Sequence, residues 1–304
     1  MNYNKRIVMC GCHCGGVKAI SGLITSGYKI DYFVCLTPSQ AKEYNISGYY
    51  DYRPMANKYN IPCYIPDDYS LKSDKDVNFF TENNFDLLVQ GGWQRLFPEN
   101  ILKSINIGAL GLHGSSNILP KGRGRSPMNW SLIEGKKRFL MHLFFMKHGI
   151  DDGDIIAIQD FDITLFDDIE TMYFKYSIVY RELLVRELPK ILTEMVGVIK
   201  QNGNPSYYQK RTRDDSYINW EDMGVQYIYN FVRSQTYPYP GAIALVSDME
   251  IIIWKVRPFD SRIRYDSASY GEVVEKFGDK LIINCMDGLL LVDKWERTNK
   301  SSDL

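Results

Sequence analysis

The chain has 304 residues, 45% hydrophobic and 24% charged, enough for one large or two ordinary domains whose cores need no covalent staples. Lysine plus arginine against aspartate plus glutamate is 36 against 37, a formal net charge of −1, so the basic excess with which a nucleic-acid binder neutralises phosphates is absent. No apolar run approaches the ~20 residues of a membrane helix, and six cysteines (Cys10, Cys12, Cys14, Cys35, Cys63, Cys285) are too sparse for a disulfide framework.

The opening Met-Asn-Tyr-Asn-Lys-Arg leads into a strand over 5–10 rather than an apolar signal core, which predicts a cytoplasmic protein. Gly11, Gly15 and Gly16 follow, then a helix over 17–26 and a strand over 32–36, a β-loop-α-β opening. Gly11 stands in a turn that either reverses the chain tightly or also touches a substrate phosphate; the full G-x-G-x-x-G fingerprint is missing, and no acidic residue ends the second strand. Cys10, Cys12, Cys14 and His13 invite a zinc reading, but no second ligand pair follows downstream, and no metal is expected. Residues 39–69 are rich in Tyr, Pro and Asp, with one short strand over 63–65. A helix over 75–83 precedes a buried strand over 85–90 that ends in Gly91-Gly92-Trp93. Two glycines there let a flat ring approach the backbone. Trp93 either helps hold such a ring or packs under the loop.

The apolar run over 109–112 stops at His113, before a loop too rich in Gly and Pro for a helix and a helix start at Ser126-Pro127. His113 is therefore expected at a strand's C-terminal end, the edge at which open α/β sheets bind ligands. Strands over 138–145 and 155–163 follow, the first carrying His142 among apolar neighbours as a core or surface residue. Asp168 starts a long helix with a buried stripe at Ile169, Met172, Tyr176, Val179 and Leu183. Lys-Gln-Asn-Gly-Asn-Pro at 200–205 reads as a linker. Beyond it, short strands over 242–246, 250–256, 271–277, 280–285 and 289–293 predict a small barrel or sandwich.

Residues 109–154 carry a resemblance. His113, Leu119-Pro120, Arg123-Gly124, Pro127, Trp130 and Asp151-Asp152-Gly153 fill the slots of Asn-x-His, Leu-Pro, Arg-Gly, Pro-x-x-Trp and Asp-x-Gly, and so the chain resembles the formyltransferases that use N10-formyltetrahydrofolate. The wording His-Gly-Ser and Lys-Gly-Arg-Gly-Arg-Ser-Pro-Met-Asn-Trp is similar to the branch acting on sugar amines. Stretches at 210–220, 233–242 and 271–288 resemble the family's C-terminal domain. The resemblance implies an α/β fold: a Rossmann-like, mostly parallel sheet in a catalytic domain over 1–203, followed by a small β-rich, OB-like domain over 204–304. It implies formyl transfer from N10-formyltetrahydrofolate to the amine of a UDP- or dTDP-linked amino sugar, in synthesis of a surface glycan of the lipopolysaccharide or pseudaminic type. Neither nucleic acid nor membrane is an expected partner. Family enzymes often pair as homodimers, and the aromatic Tyr227, Tyr229, Tyr237 and Tyr239 are compatible with an interface or with a core.

Attack of an amine on a formyl carbon requires that the amine lose a proton, that an oxyanion be stabilised and that the leaving nitrogen be protonated. The resemblance makes His113 the proton-transfer group and oxyanion donor, with Asp151 orienting it. It places Gly91, Gly92, Trp93, Gly149, Ile150 and Asp152 around the folate, and Gly11 and Ser115 beside the sugar substrate. Arg123 and Arg125 form a compact cationic pair suited to a diphosphate, or else are solvated loop residues. Two departures from the pattern stand out: Gly111 holds the family's Asn slot, and His113 to Pro120 is seven residues, two more than usual. Asn129 or Asn117 is the replacement donor expected, Asn129 preferred, unless Asn129 merely serves the first turn of its helix. Methionyl-tRNA formylation, a catalytically silent folate or nucleotide-sugar binder and a formate-releasing hydrolase are the competing readings.

Overall fold

A computed structural model describes residues 4–46, 48–247 and 249–298. One compact unit takes Met1–Gly124, Leu140–Phe161 and Tyr173–Tyr207; a second takes Arg125–Phe139, Asp162–Met172 and Tyr208–Leu304. The last crossing, at 207/208, lies close to the linker composition at 200–205, but two earlier excursions also belong to the second unit.

The first unit is built on β1 (Ile7–Gly11), α1 (Val17–Thr25), β2 (Tyr32–Val34), α2 (Pro38–Glu43), α3 (Arg53–Lys58), β3 (Cys63–Tyr64), α4 (Asp74–Asn83), β4 (Leu87–Gly91), α5 (Glu99–Ser104) and β5 (Gly108–Ser115). A two-residue β6 (Arg123–Gly124) and α6 (Pro127–Ile133), the latter in the second unit, precede β7 (Arg138–Phe145), β8 (Ile155–Asp162) and α7 (Ile169–Leu192). The sheet order is β3-β2-β1-β4-β5-β7-β8. Its first five strands run parallel, and β7 runs antiparallel to β5. β1 is buried at all five positions, as a strand covered on both faces must be. Thr37 caps α2 through a reciprocal pair with Gln40, and Ser73 caps α4 by accepting from the Asp76 amide.

The apolar run at 109–112 does not end at His113. Pairing with β7 carries β5 on through His113↔His142 and Gly114↔Met141 to Ser115↔Leu140. Cross-strand hydrogen bonds outweigh the weak strand preference of Gly and Ser, so His113 lies inside the strand, two residues from its end.

A two-residue β9 (Tyr207–Tyr208) lies at the last crossing, and in the second unit α8 (Val225–Arg233), β10 (Ala242–Val246), β11 (Met249–Asp260), β12 (Val273–Phe277), β13 (Lys280–Cys285) and β14 (Gly288–Arg297) complete the order. β10 to β14 form one antiparallel sheet, β10-β11-β14-β13-β12. Val225, Ile228, Phe231 and Val232 of α8 pack with Ile251, Ile253, Ile283 and Leu290 of that sheet.

Candidate active site

Gly111 and His113, two residues apart on β5, share one face of the strand. His113 is 7% exposed. Its Nε2 donates to the Gly122 carbonyl at 2.8 Å, and its Nδ1 lies 3.3 Å from Asp151 Oδ2. Both ring nitrogens thus face oxygen acceptors, a set satisfied in full when both carry protons. Asp151 is held in turn: its Oδ2 also accepts from the Gly124 amide at 3.0 Å, and its backbone is left-handed, φ +50°. The two carboxyl and carbonyl groups facing the imidazole come from two loops, one after β5 and one after β7.

Across the strand pair lies His142, fully buried. Its Nδ1 donates to the His113 carbonyl at 3.3 Å, and its Nε2 accepts from the Leu119 amide at 3.4 Å, which leaves it as a neutral ring. Burial, and then the neighbouring His113, push its pKa down to about 4. His142 belongs to the scaffold that fixes the height of His113 in the sheet.

The Gly111 departure has a steric explanation. A Cβ there would lie 2.7 Å from Phe144 Cζ and 2.8 Å from Met146 Cγ, so apolar side chains fill the place where the family pattern has an amide. Asn129, the expected substitute, is 3% exposed and donates from Nδ2 to the Ser234 carbonyl at 2.7 Å. Its amide holds two parts of the second unit together, with one of its two N–H donors given to Ser234. Trp130, the next residue along α6, stacks on Tyr208 with centroids 5.7 Å apart and donates to the Gln209 carbonyl. Arg125 is exposed, with its backbone amide bonded to the Tyr208 carbonyl at 3.0 Å. Asn117 is exposed, its amide bonded to Ser115 Oγ.

Arg123 is not a solvated phosphate hook. It is 9% exposed, and its Nε and Nη2 both donate to Gln201 Oε1, at 3.2 and 2.7 Å. Ser115 is fully buried and ties its own loop by donating to the Lys121 carbonyl at 3.0 Å. The glycines expected near ligands are explained by packing: a Cβ on Gly11 would sit 3.0 Å from the Gly91 carbonyl oxygen and from Tyr52, and one on Gly91 would sit 2.7 Å from Ile20. Gly92 is left-handed, φ +88°, with His13 filling the space a side chain would take. Trp93 packs under the loop, 2% exposed and edge-on to Tyr69 at 4.9 Å, so its ring faces the core. Cys10 and Cys12 are buried, Cys14 is exposed, and the described residues contain no group of three or more His, Cys, Asp or Glu able to hold a metal.

The turn after β7 keeps Gly149, Ile150 and Asp152 together with Asp151. Asp152 lies over Gly149, where a Cβ would come within 2.4 Å of its Oδ2. Its Oδ1 is buried with no hydrogen-bond partner. Ile150 is 46% exposed at the turn's tip. Gln201 is the residue that sequence reasoning missed, because the stretch around it has the composition of a linker.

Residues 64–188 match the formyl transferase family, and residues 210–302 match the formyl transferase C-terminal domain. The chain is 30% identical over 281 residues to the bifunctional polymyxin resistance protein ArnA of Wigglesworthia glossinidia brevipalpis, covering 92% of itself and 41% of ArnA. It is 29% identical over 248 residues to the methionyl-tRNA formyltransferase of Rickettsia felis, covering 82% and 78%. Among solved structures it is similar to the N-formyltransferase from Helicobacter canadensis in complex with folinic acid and dTDP-3-aminofucose, with a TM-score of 0.69, 16% identity and coverage of 95% and 98%. The chain thus spans less than half of the ArnA relative and nearly all of the Helicobacter canadensis protein. With both domains of the family matched, and with the mostly parallel sheet and the antiparallel C-terminal sheet in place, the chain belongs to the formyl transferase family.

Proposed function

We propose that this protein moves a formyl group from N10-formyltetrahydrofolate to the amine of a nucleotide-linked amino sugar. Catalysis is assigned to residues 1–203 and a supporting role to 204–304. The observation that carries the reading is the His113–Asp151 pair, a buried imidazole 3.3 Å from a carboxylate whose second loop contact fixes its aim. Such a pair can take a proton from an attacking amine, and its cationic form can face a developing oxyanion. No nucleophilic Ser or Cys is needed, since the amine attacks. To take that proton the ring must be neutral with its own proton on Nδ1 toward Asp151, so that Nε2, released from the Gly122 carbonyl, presents a lone pair to the amine. The orphaned Asp152 Oδ1 fits the folate, because a buried carboxylate oxygen lacking a donor suits the amino and ring N–H groups of a reduced pterin. Gly149 leaves Asp152 its room, and Ile150 offers apolar surface at the rim. A donated formyl group supplies the electrophile; the chain supplies binding, orientation and the proton path.

For the acceptor, the net charge of −1 and the His-Gly-Ser wording favour a small nucleotide sugar over a tRNA. The setting is taken to be the cytoplasm and glycan synthesis; no helix among the described residues is long and apolar enough to cross a membrane. Tyr227 and Tyr237 are exposed and leave an aromatic surface that a second copy can cover. The test is mass spectrometry of UDP- and dTDP-linked 3-amino and 4-amino sugars, and of methionyl-tRNA, after incubation with the protein and N10-formyltetrahydrofolate. One formyl group gained by one sugar is the expected result. Formylation of the tRNA alone overturns the sugar assignment, and formate release without a formylated product overturns transfer altogether.

A further inference from the structure

Gln201 lies in the Lys-Gln-Asn-Gly-Asn-Pro stretch, yet it is anchored on both sides. Ile199 and Ile155 exchange backbone hydrogen bonds at 2.7 and 2.8 Å, and Ser206 bonds the Pro120 carbonyl, the Gly122 amide and the Arg123 amide at 3.2, 2.9 and 2.9 Å. Between these anchors the side chain of Gln201 is used at both ends. Its Oε1 accepts twice from Arg123, which settles the orientation of the amide: a guanidinium has no acceptor, so the nitrogen must face the other way. Its Nε2 donates to the Asp151 carbonyl at 2.7 Å and to the Gly153 carbonyl at 2.8 Å.

These bonds connect the two loops that flank His113. Arg123 follows Gly122, whose carbonyl accepts from His113 Nε2, and precedes Gly124, whose amide donates to Asp151 Oδ2. Asp151 and Gly153 belong to the turn whose carboxylate faces Nδ1. Asp151 is also in a left-handed conformation, which a non-glycine residue holds only when its surroundings insist. We propose that Gln201 is a positioning residue for the proposed formyl transfer, one that sets the distance between the Gly122 carbonyl and the Asp151 carboxylate on either side of the His113 ring by clamping Arg123 to the Asp151 turn. It touches neither substrate; it acts through Asp151. Arg123 is the other half of the clamp, which is why it is buried.

The inference rests on the formyl-transfer reading, so the experiment begins by establishing turnover in the unaltered protein. Absence of any formylated product there defeats that reading, and the melting temperatures of the three proteins then decide whether the clamp exists. Gln201→Ala removes both ends of the clamp. Gln201→Glu keeps an acceptor for Arg123 but turns a carboxylate oxygen toward two carbonyls. With turnover in hand, kcat should fall about 10- to 100-fold in both variants with KM for the amine within about threefold, since a displacement near 1 Å has that effect on a reacting group. The pH–rate profile should change shape, because the imidazole has lost the fixed aim of its carboxylate; a smaller folded fraction would only scale it down. Gln201→Glu should unfold closer to the unaltered protein than Gln201→Ala, because it retains the link to Arg123. An unchanged kcat in Gln201→Glu, or a loss that leaves the profile's shape intact in both variants, overturns the proposal, and equal melting temperatures in all three proteins refute the clamp whatever the activity.

Discussion

The sharpest perturbation of the site is one methyl group. A Cβ on Gly153 would lie 1.6 Å from the Phe145 carbonyl oxygen and 2.6 Å from its carbon, against about 3.0 Å as the closest approach a real Cβ makes. The obstacle is backbone in β7, which cannot rotate away as a side chain can. Gly153→Ala must therefore lift the turn by about 1.4 Å, the difference between 3.0 and 1.6 Å. That movement stretches the Gln201–Gly153 bond, now 2.8 Å, and takes Asp151 from both His113 and the Gly124 amide. A shift of this size lowers kcat on the order of 100-fold, and overpacking lowers stability by ~1–3 kcal/mol. Steady-state formyl transfer beside urea unfolding measures the two effects separately. A folded Gly153→Ala protein with kcat within about twofold of the unaltered one would refute the argument that the placement of Asp151 limits the reaction.

Two further outcomes follow from the same geometry. Asn129→Ala should leave kcat unchanged and lower stability by ~1–3 kcal/mol, because it strands the buried Ser234 carbonyl; a kcat loss near 100-fold at unchanged stability would restore Asn129 to the oxyanion. His142 makes stability depend on pH. Its folded pKa of about 4 lies below the ordinary 6.5, so the unfolded chain binds the extra proton, and stability falls as pH drops from 6.5 to 4 by about 3 kcal/mol, at about 1.4 kcal/mol per pH unit. His142→Gln, which can donate to the His113 carbonyl and accept from the Leu119 amide, should flatten that slope relative to the unaltered protein. Parallel slopes for the two proteins in urea unfolding between pH 4 and 6.5 would contradict the buried neutral ring.

Local pattern made much of this fold legible. β7 occupies the residues read as a strand, α1 and α7 start where their signals stand, and four of the five apolar positions in the α7 stripe, Ile169, Met172, Val179 and Leu183, are buried. The elements that went unread are short or depend on tertiary pairing. α2, α3 and α5 have six residues each, α8 lies before the aromatic Pro-rich stretch, and the end of β5 is strand only because β7 lies beside it. In the site, His113 and Asp151 could be proposed from motif wording, since the chemistry selects those residue types. For other side chains, a residue's type says nothing about which partner claims it. Arg123 reads as a free cation and is held by Gln201; Asn129 reads as a donor and is held by Ser234; Gln201 itself, between Lys200 and Asn202, has no local pattern that distinguishes a clamp from a linker.

The central claim is that His113 and Asp151 act as one unit in formyl transfer. A double-mutant cycle with His113→Ala, Asp151→Asn and the two together, read as kcat/KM for formylation of the identified acceptor, tests it most directly. Groups that work as a unit lose little more when both are removed than when the more important one is. We predict that the double variant falls within about threefold of His113→Ala alone. Losses that multiply, so that Asp151→Asn costs the same factor with or without His113, would contradict the pair and leave the carboxylate a purely local turn residue.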